Sequence, residues 1–125
     1  SSWDFERFGY EETTRFLTGG GFPTRTILCA NDRVAFGAIS AAYRCGLKIG
    51  QTAGSDIRIA GHDDHPLSRY ACPPITTVAQ NLNEIGRLAM DLLFRKLDLE
   101  PDGTELPAES HRILLNAEII LRESA

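Results

Sequence analysis

The sequence predicts an α/β fold, a three-layer Rossmann-like parallel sheet with helical crossovers. Two observations support this prediction. Short apolar runs alternate along the chain with segments of helical periodicity, which is the pattern of strand–helix–strand units. The runs are continuous rather than alternating, as expected of strands that are buried on both faces. The 125 residues, 42% apolar and 24% charged, match the size and composition of one globular domain.

The elements follow one another in a regular order. Predicted helices span 4–18, 32–45 and 81–98, and predicted strands span 26–30, 57–61, 75–79, 112–115 and 118–121. The second helix carries the clearest boundary signals, since Asn31 or Asp32 can cap its start and Gly46 can end it in a left-handed conformation. A stripe of small residues on that helix, formed by Ala35, Ala38, Ile39 and Ala42, would let it lie close to the sheet. The polar stretch 62–74 is predicted to be a long loop with one short helical turn.

Composition narrows the function classes. The 13 Lys and Arg against 17 Asp and Glu give a net charge of −4, so the chain is not expected to grip nucleic-acid phosphates by itself. No apolar run approaches the roughly 20 residues of a membrane span, so no membrane association is expected. Cys29, Cys45 and Cys72 form no C-x-x-C pair, which predicts reduced, buried cysteines in a cytoplasmic protein.

Polar side chains follow three of the predicted strands. Asn31 and Asp32 come after the first, Asp63 and Asp64 after the second, and Gln80 after the third. Ligands of open α/β sheets bind beyond the carboxyl ends of the strands. Amides and carboxylates there suit a neutral polyhydroxy ligand, such as a sugar or nucleoside, better than a phosphate. The alternative is local, because each of these side chains could instead cap a helix or close a turn.

The segment His62-Asp63-Asp64-His65 offers four potential metal ligands. Adjacent residues rarely converge on one ion, and no H-E-x-x-H pattern supports them. Ser68 lies near this segment, but no G-x-S-x-G elbow marks it as a nucleophile. We therefore predict no metal, no cofactor and no catalytic residue.

Three aromatic residues have two possible interpretations. Trp3, the single tryptophan, is either a core or interface aromatic or a platform for the face of a sugar ring. Phe36 and Tyr43 lie seven residues apart, away from the small-residue stripe of the second helix. A helix with this additional apolar pair is expected to meet a partner subunit.

Four stretches resemble one protein family. Residues 27–38, ILCANDRVAFGA, resemble the ANDxxAxGA stretch of LacI/GalR-type transcriptional regulators. Residues 60–64, AGHDD, resemble their GxDD stretch, and residues 73–80, PPITTVAQ, resemble their PPLTTVxQ stretch. Residues 86–89, GRLA, match the GxxA segment that follows. The order and near-equal spacing extend the resemblance over nearly the whole chain.

The resemblance implies a type I periplasmic-binding-protein-like fold, in which two α/β lobes enclose a small effector. Residues 1–125 would form one lobe, the C-terminal portion of the effector-binding and dimerisation domain. The DNA-binding domain and the first lobe would be absent, with Ser1 at the edge of a truncation. The residues implied to contact effector are Asn31, Asp63 and Gln80, with Trp3 near the usual ring platform; those implied at the dimer interface are Phe36, Tyr43 and Tyr70.

The implied partners are a small-molecule effector (a sugar or nucleoside), a second copy of the chain, and operator DNA through the absent domain alone. The implied location is the cytoplasm. Helix 81–98 would lose its usual partner and dock on its own sheet or exchange between two copies. The alternatives are a sugar-binding protein of a transport system with the same fold and, third, an enzyme that uses the 62–65 segment.

Overall fold

The computed structural model describes residues 3–21, 23–97 and 113–125. The chain forms two compact units, one built from residues up to 79 together with 118–125 and the other from 80–117. The helices are α1 (Phe5–Thr18), α2 (Asp32–Arg44) and α3 (Leu82–Leu97), and the strands are β1 (Thr26–Leu28), β2 (Arg58–Ala60), β3 (Thr77–Ala79) and β4 (Glu118–Ile120). The predicted α/β fold is confirmed.

The sheet grows by parallel pairing along the chain. Strands β1 and β2 are parallel, with Ile27 opposite Ile59, and a parallel bridge joins Ala60 to Thr76 at the entrance of β3. Strand β4 then pairs antiparallel with β3, with Val78 opposite Ile119. The predicted crossover pattern therefore holds for the first three strands, and the final strand adds an antiparallel edge.

One predicted strand is wrong. Residues 113–117 form no strand, and Leu114 in the middle of this stretch is 77% exposed. The rest of the 112–115 prediction, Arg112, lies outside the described residues. Among the described residues no strand pairs with this apolar stretch, and a strand without a partner cannot satisfy its backbone groups.

Helix α2 begins and ends as its sequence signals indicate. The side chain of Asn31 caps it by accepting a 2.9 Å hydrogen bond from the amide of Val34. At the other end Gly46 has a φ of +75°, and the amide of Leu47 donates back to the carbonyl of Ala42 over 3.0 Å. Its small-residue stripe packs on the sheet in one core cluster: Cys29, Ala35, Ala38, Ile39, Ala42, Ile57, Ile59 and Ile75.

Helices α1 and α2 cross at two glycines. A Cβ at Gly9 would overlap the carbonyl of Val34, and one at Gly37 would overlap the backbone of Glu6 and Tyr10. Their backbones therefore approach more closely than any larger side chain permits.

Helix α3 is described by itself, since it belongs to the second unit. Asn81 caps it by accepting a 3.0 Å hydrogen bond from the amide of Glu84. The predicted helix 81–98 is confirmed between Leu82 and Leu97, and position 98 lies outside the described residues. Across the described ranges, no helix has the length and apolarity needed to traverse a bilayer. The surface on which α3 docks stays a prediction.

The cysteines divide between core and surface. Cys29 is buried in the core cluster as predicted, whereas Cys45 and Cys72 are exposed, contrary to the prediction. Cys45 lies directly after α2 at the helix terminus, and Cys72 lies in the loop that precedes β3. Apolar character in the sequence did not distinguish these boundary positions from core positions.

Candidate functional site

The segments after β1 and β2 and the end of β3 lie side by side at the carboxyl edge of the sheet. The amide of Asp32 donates a 2.9 Å hydrogen bond to the carbonyl of His62, which joins the first two segments. The amide of Asp63 donates over 2.9 Å to the carbonyl of Val78, which joins the second segment to β3. The polar residues that follow the first two strands therefore line one edge.

Asp63 presents its carboxylate at this edge. Its backbone has a φ of +97°, and Asp64 next to it has a φ of +48°, so the chain turns sharply here. The side chain of Asp63 is 54% exposed, and its Oδ1 lies 2.7 Å from Nδ1 of His62. A carboxylate held on one side by an imidazole keeps a second oxygen with which to accept hydrogen bonds from a ligand hydroxyl.

Asp64, in contrast, is occupied within the protein. Arg122 donates from Nη2 to its Oδ1 over 2.6 Å and from Nη1 to the carbonyl of Ile75 over 2.8 Å. Both side chains are largely buried. The bond fixes the loop that carries Asp63, and it makes Asp64 a structural residue. No local signal marked Arg122, because its partners lie 47 and 58 residues away in the sequence.

Asp32 is the most connected side chain of the edge. It is 1% exposed and accepts hydrogen bonds from the amide of His65 (2.8 Å), the hydroxyl of Ser68 (2.6 Å) and the hydroxyl of Thr77 (2.6 Å). A Cβ at Gly61 would overlap its carboxylate, so glycine makes room for it. From the sequence, Asn31 and Asp32 could each be a helix cap or a ligand contact. In the structure Asn31 caps α2, and the side chain of Asp32 is buried.

Trp3 and Asn31 lie at the same end of the helix pair. The ring of Trp3 meets Phe5 edge-on at 6.1 Å, and the guanidinium of Arg33 lies 5.3 Å from the centre of the Phe5 ring. Arg33 belongs to the first turn of α2, which Asn31 caps. Trp3 is 82% exposed, as a platform for a ligand would be. Its role stays a prediction.

Gln80 belongs to the second unit, where its carbonyl accepts a 2.9 Å hydrogen bond from the amide of Leu82. It follows the last residue of β3 directly in the chain. Its participation in a site with Asn31 and Asp63 stays a prediction.

The residues implied at a dimer interface lie on the outer side of α2 and the 3₁₀ turn Ser68–Tyr70. Tyr43 and Tyr70 are each 77% exposed, and Phe36 packs edge-on against the ring of His65 at 5.6 Å. A shallow groove of about 530 Å³ runs between helix and turn, and its lining is mostly apolar: Phe36, Ile39, Ser40, Tyr43, Ala71 and Cys72. Exposed tyrosines around an apolar groove are typical of protein interfaces.

The segment 62–65 does not gather its side chains around one point. Asp64 turns to Arg122, and the ring of His65 packs against Phe36 and accepts a 3.2 Å hydrogen bond from the amide of Leu67. Within residues 3–21, 23–97 and 113–125, no three His, Cys, Asp or Glu side chains are placed to hold a metal ion.

Cys29 provides a test of the burial of this edge. Burial, together with the nearby Asp32 carboxylate, raises the pKa of its thiol from 9.0 to about 11. Below pH 9 both folded and unfolded chains keep the proton. Between pH 9 and 11 only the unfolded chain loses it, so the free energy of unfolding is expected to fall by about 1.4 kcal/mol per pH unit.

Urea titrations of the native chain and Cys29→Ala across pH 8 to 11 measure this contribution. The difference in stability between the two is expected to shrink as the pH rises, because alanine has no proton to lose. A difference independent of pH would contradict the raised pKa. The exposed Cys45→Ala variant serves as control and is expected to follow the native profile.

Comparison with known proteins adds the decisive observation. Residues 4–125 match the family described as the periplasmic binding protein-like domain. The chain belongs to this family, as part of the effector domain of a LacI/GalR-type regulator. A transcriptional repressor from Haemophilus influenzae, PurR, is 36% identical over 116 residues, which cover 93% of this chain and 32% of the repressor. The ribose operon repressor of the same species is 36% identical over 125 residues, covering 99% of this chain and 34% of the repressor.

Solved structures agree with the sequence matches. The Lac repressor dimer bound to operator and an anti-inducer superimposes with a TM-score of 0.76 at 30% identity, covering 94% of this chain and 37% of that one. A LacI-family regulator from Arthrobacter in complex with lactose gives 0.76 at 30% identity, covering 95% and 41%. The chain thus spans about a third of the length of its curated relatives. These proteins are repressors and regulators rather than enzymes, in agreement with the prediction that the chain is not an enzyme.

Proposed function

We propose that the chain is the effector-sensing and dimerisation portion of a cytoplasmic LacI/GalR-like regulator, in which it binds a small polyhydroxy ligand, a sugar or nucleoside. The ligand lies in a cleft whose one wall is the carboxyl edge of this sheet. Ligand binding favours one arrangement of the intact protein, and the dimer transmits that preference to DNA-binding domains elsewhere in the same protein.

The observation that carries the proposal is the state of Asp63. Its neighbour Asp64 is paired with Arg122, whereas Asp63 lies on a sharp turn with one oxygen held by His62 and an exposed face. Asn31 lies on the adjoining segment and uses its carbonyl oxygen for the helix cap. Its amide nitrogen therefore offers a donor at the same edge as the Asp63 carboxylate, and a donor and an acceptor together suit a ligand with vicinal hydroxyls.

A thermal-shift screen of the complete gene product against D-ribose, lactose and adenosine tests the ligand. A bound compound at about 100 times its Kd is expected to stabilise the protein by about 2.7 kcal/mol. Asp63→Ala is expected to abolish that shift. It is expected to lower the unliganded melting temperature slightly, because alanine tolerates the positive φ of this turn less well than aspartate. The isolated 125-residue chain is expected to bind these compounds at least about 100-fold more weakly, since one wall of the cleft is missing.

Asp56→Ala is the matched control, because its carboxylate is also exposed and accepts a backbone hydrogen bond, from Lys48, away from the carboxyl edge. It is expected to keep the full ligand shift. An unchanged shift in Asp63→Ala would remove this residue from the site. Micromolar binding of any of these ligands by the isolated chain would contradict a cleft shared between two lobes.

A further inference from the structure

One buried carboxylate holds three separate segments of the chain together. Asp32, at the first turn of α2, accepts from the amide of His65 in the loop after β2, from the hydroxyl of Ser68 in the 3₁₀ turn, and from the hydroxyl of Thr77 in β3. All three bonds measure 2.6–2.8 Å, and Asp32, Ser68 and Thr77 are each at most 1% exposed. Because these groups are buried, solvent cannot readily replace a lost partner, so a shift of one segment strains the other two bonds.

The first branch of this network leads to Asp63. The amide of Asp32 donates to the carbonyl of His62, directly before Asp63. The hydroxyl of Thr77, which donates to Asp32, also accepts a 3.3 Å hydrogen bond from the amide of Asp64, directly after it. Both flanks of the exposed carboxylate are thus held by Asp32 or by a side chain bonded to it.

The second branch leads to the outer side of α2. Ser68 opens the 3₁₀ turn that carries Tyr70, and its carbonyl accepts a 2.8 Å hydrogen bond from the amide of Ile75. His65, whose amide is bound by the same carboxylate, packs its ring against Phe36. The positions of Phe36 and Tyr70 therefore depend on the carboxylate that also fixes the turn around Asp63.

We propose that Asp32 is a positioning residue that couples the ligand edge at Asp63 to the partner surface at Phe36 and Tyr70. A ligand that displaces the Asp63 turn displaces the 3₁₀ turn through the shared carboxylate, and partner binding acts in the reverse direction with the same coupling. The inference rests on the proposed function, which takes these two surfaces as those of ligand and partner.

Hydrogen exchange of the 125-residue chain, measured by NMR at single amides, tests the coupling. The reporters are the amide of Asp63, bonded to the carbonyl of Val78, and that of Tyr70, bonded to the carbonyl of Leu67. Neither amide touches Asp32, so neither loses a bond directly. Asp32→Asn, which keeps the shape and removes one acceptor, is expected to speed exchange at both by about tenfold. Ser68→Ala is a milder variant and is expected to change both in the same direction.

Two internal references separate coupling from general destabilisation. The amide of Ile59 in β2, which donates to the carbonyl of Ser124, reports general destabilisation and is expected to gain less in exchange rate than the two reporters. Asp56→Asn, the same substitution at the carboxylate that accepts from Lys48, is expected to leave both reporters unchanged. Faster exchange at only one reporter, or an equal increase at Ile59, would overturn the coupling.

Sedimentation equilibrium separates this inference from the proposed function. The native chain is expected to self-associate, and Asp32→Asn and Ser68→Ala are expected to weaken association by about tenfold. Tyr43→Glu on the exposed face of α2 is expected to abolish association. If the native chain stays monomeric, the proposed dimer surface is contradicted. The coupling between the Asp63 turn and the 3₁₀ turn is then decided by the hydrogen-exchange result. Dimers of native affinity in both Asp32→Asn and Ser68→Ala would overturn the coupling.

Discussion

Gly37→Ala is expected to lower the free energy of unfolding by about 3 kcal/mol, because the added methyl group has no space. Its Cβ would overlap the backbone carbonyl of Glu6 and the backbone nitrogen of Tyr10. Backbone atoms cannot change rotamer, so the two helices have to separate. Their separation would pull the Glu6–Arg33 ion pair apart and loosen the packing of α1. Urea denaturation followed by circular dichroism measures the loss.

Gly86→Ala provides the matched control for this substitution. Gly86 also lies inside a helix, and a Cβ there meets nothing within 4 Å. Alanine has the higher helix propensity, so this variant is expected to keep or gain up to about 1 kcal/mol. Equal effects of the two substitutions would show that the α1–α2 crossing tolerates a methyl group and would contradict the close approach described above.

Asp32→Ala is expected to destabilise the chain by about 4 kcal/mol, the larger of the two effects. The substitution leaves the amide of His65 and the hydroxyls of Ser68 and Thr77 buried without their acceptor. Each unsatisfied buried donor costs about 1–3 kcal/mol, and the hydroxyls can recover part of this by rotating. Thermal and urea unfolding of the variant at neutral pH measure the total.

Asp56→Ala again supplies the comparison. Asp56→Ala removes one exposed hydrogen bond from the amide of Lys48. It is expected to lower the free energy of unfolding by less than about 1 kcal/mol, because water can replace the carboxylate. If both variants lost a similar amount of unfolding free energy, the Asp32 network would contribute no more to stability than one surface hydrogen bond. That result would contradict the positioning role of Asp32.

Local signals predicted those features whose causes are local. The apolar runs and the capping residues placed α1, α2 and α3 within a residue or two, because N-caps and left-handed glycines act on adjacent backbone groups. Of the two predicted final strands, 118–121 is confirmed as β4 and 112–115 is wrong in its described part. Residues 113–115 are apolar like most of β4, so their sequence predicts a strand equally well. The difference is that β4 pairs with β3.

The roles of the polar residues at the site depend on partners that are distant in the sequence, so local patterns could not assign them. Asn31 and Asp32 are equally good capping residues, and their roles are decided by Ser68 and Thr77, which lie 36 and 45 residues from Asp32. Asp63 and Asp64 are likewise equivalent in the sequence until Arg122 neutralises the second. The motif resemblance drew attention to this edge of the sheet, and tertiary contacts then distinguish the carboxylate facing solvent from those that build the scaffold.

The most direct measurement is the affinity of the complete gene product for the DNA upstream of its own gene, with and without a compound that passes the thermal-shift screen. The account predicts that the ligand changes this affinity by about 5- to 150-fold, the usual range of allosteric coupling. Asp63→Ala is predicted to bind the DNA with native affinity and to show no response to the ligand. A protein that binds the ligand but has no affinity for DNA, as a solute-binding protein would, or an affinity for DNA that stays the same when the ligand is bound, would contradict the account.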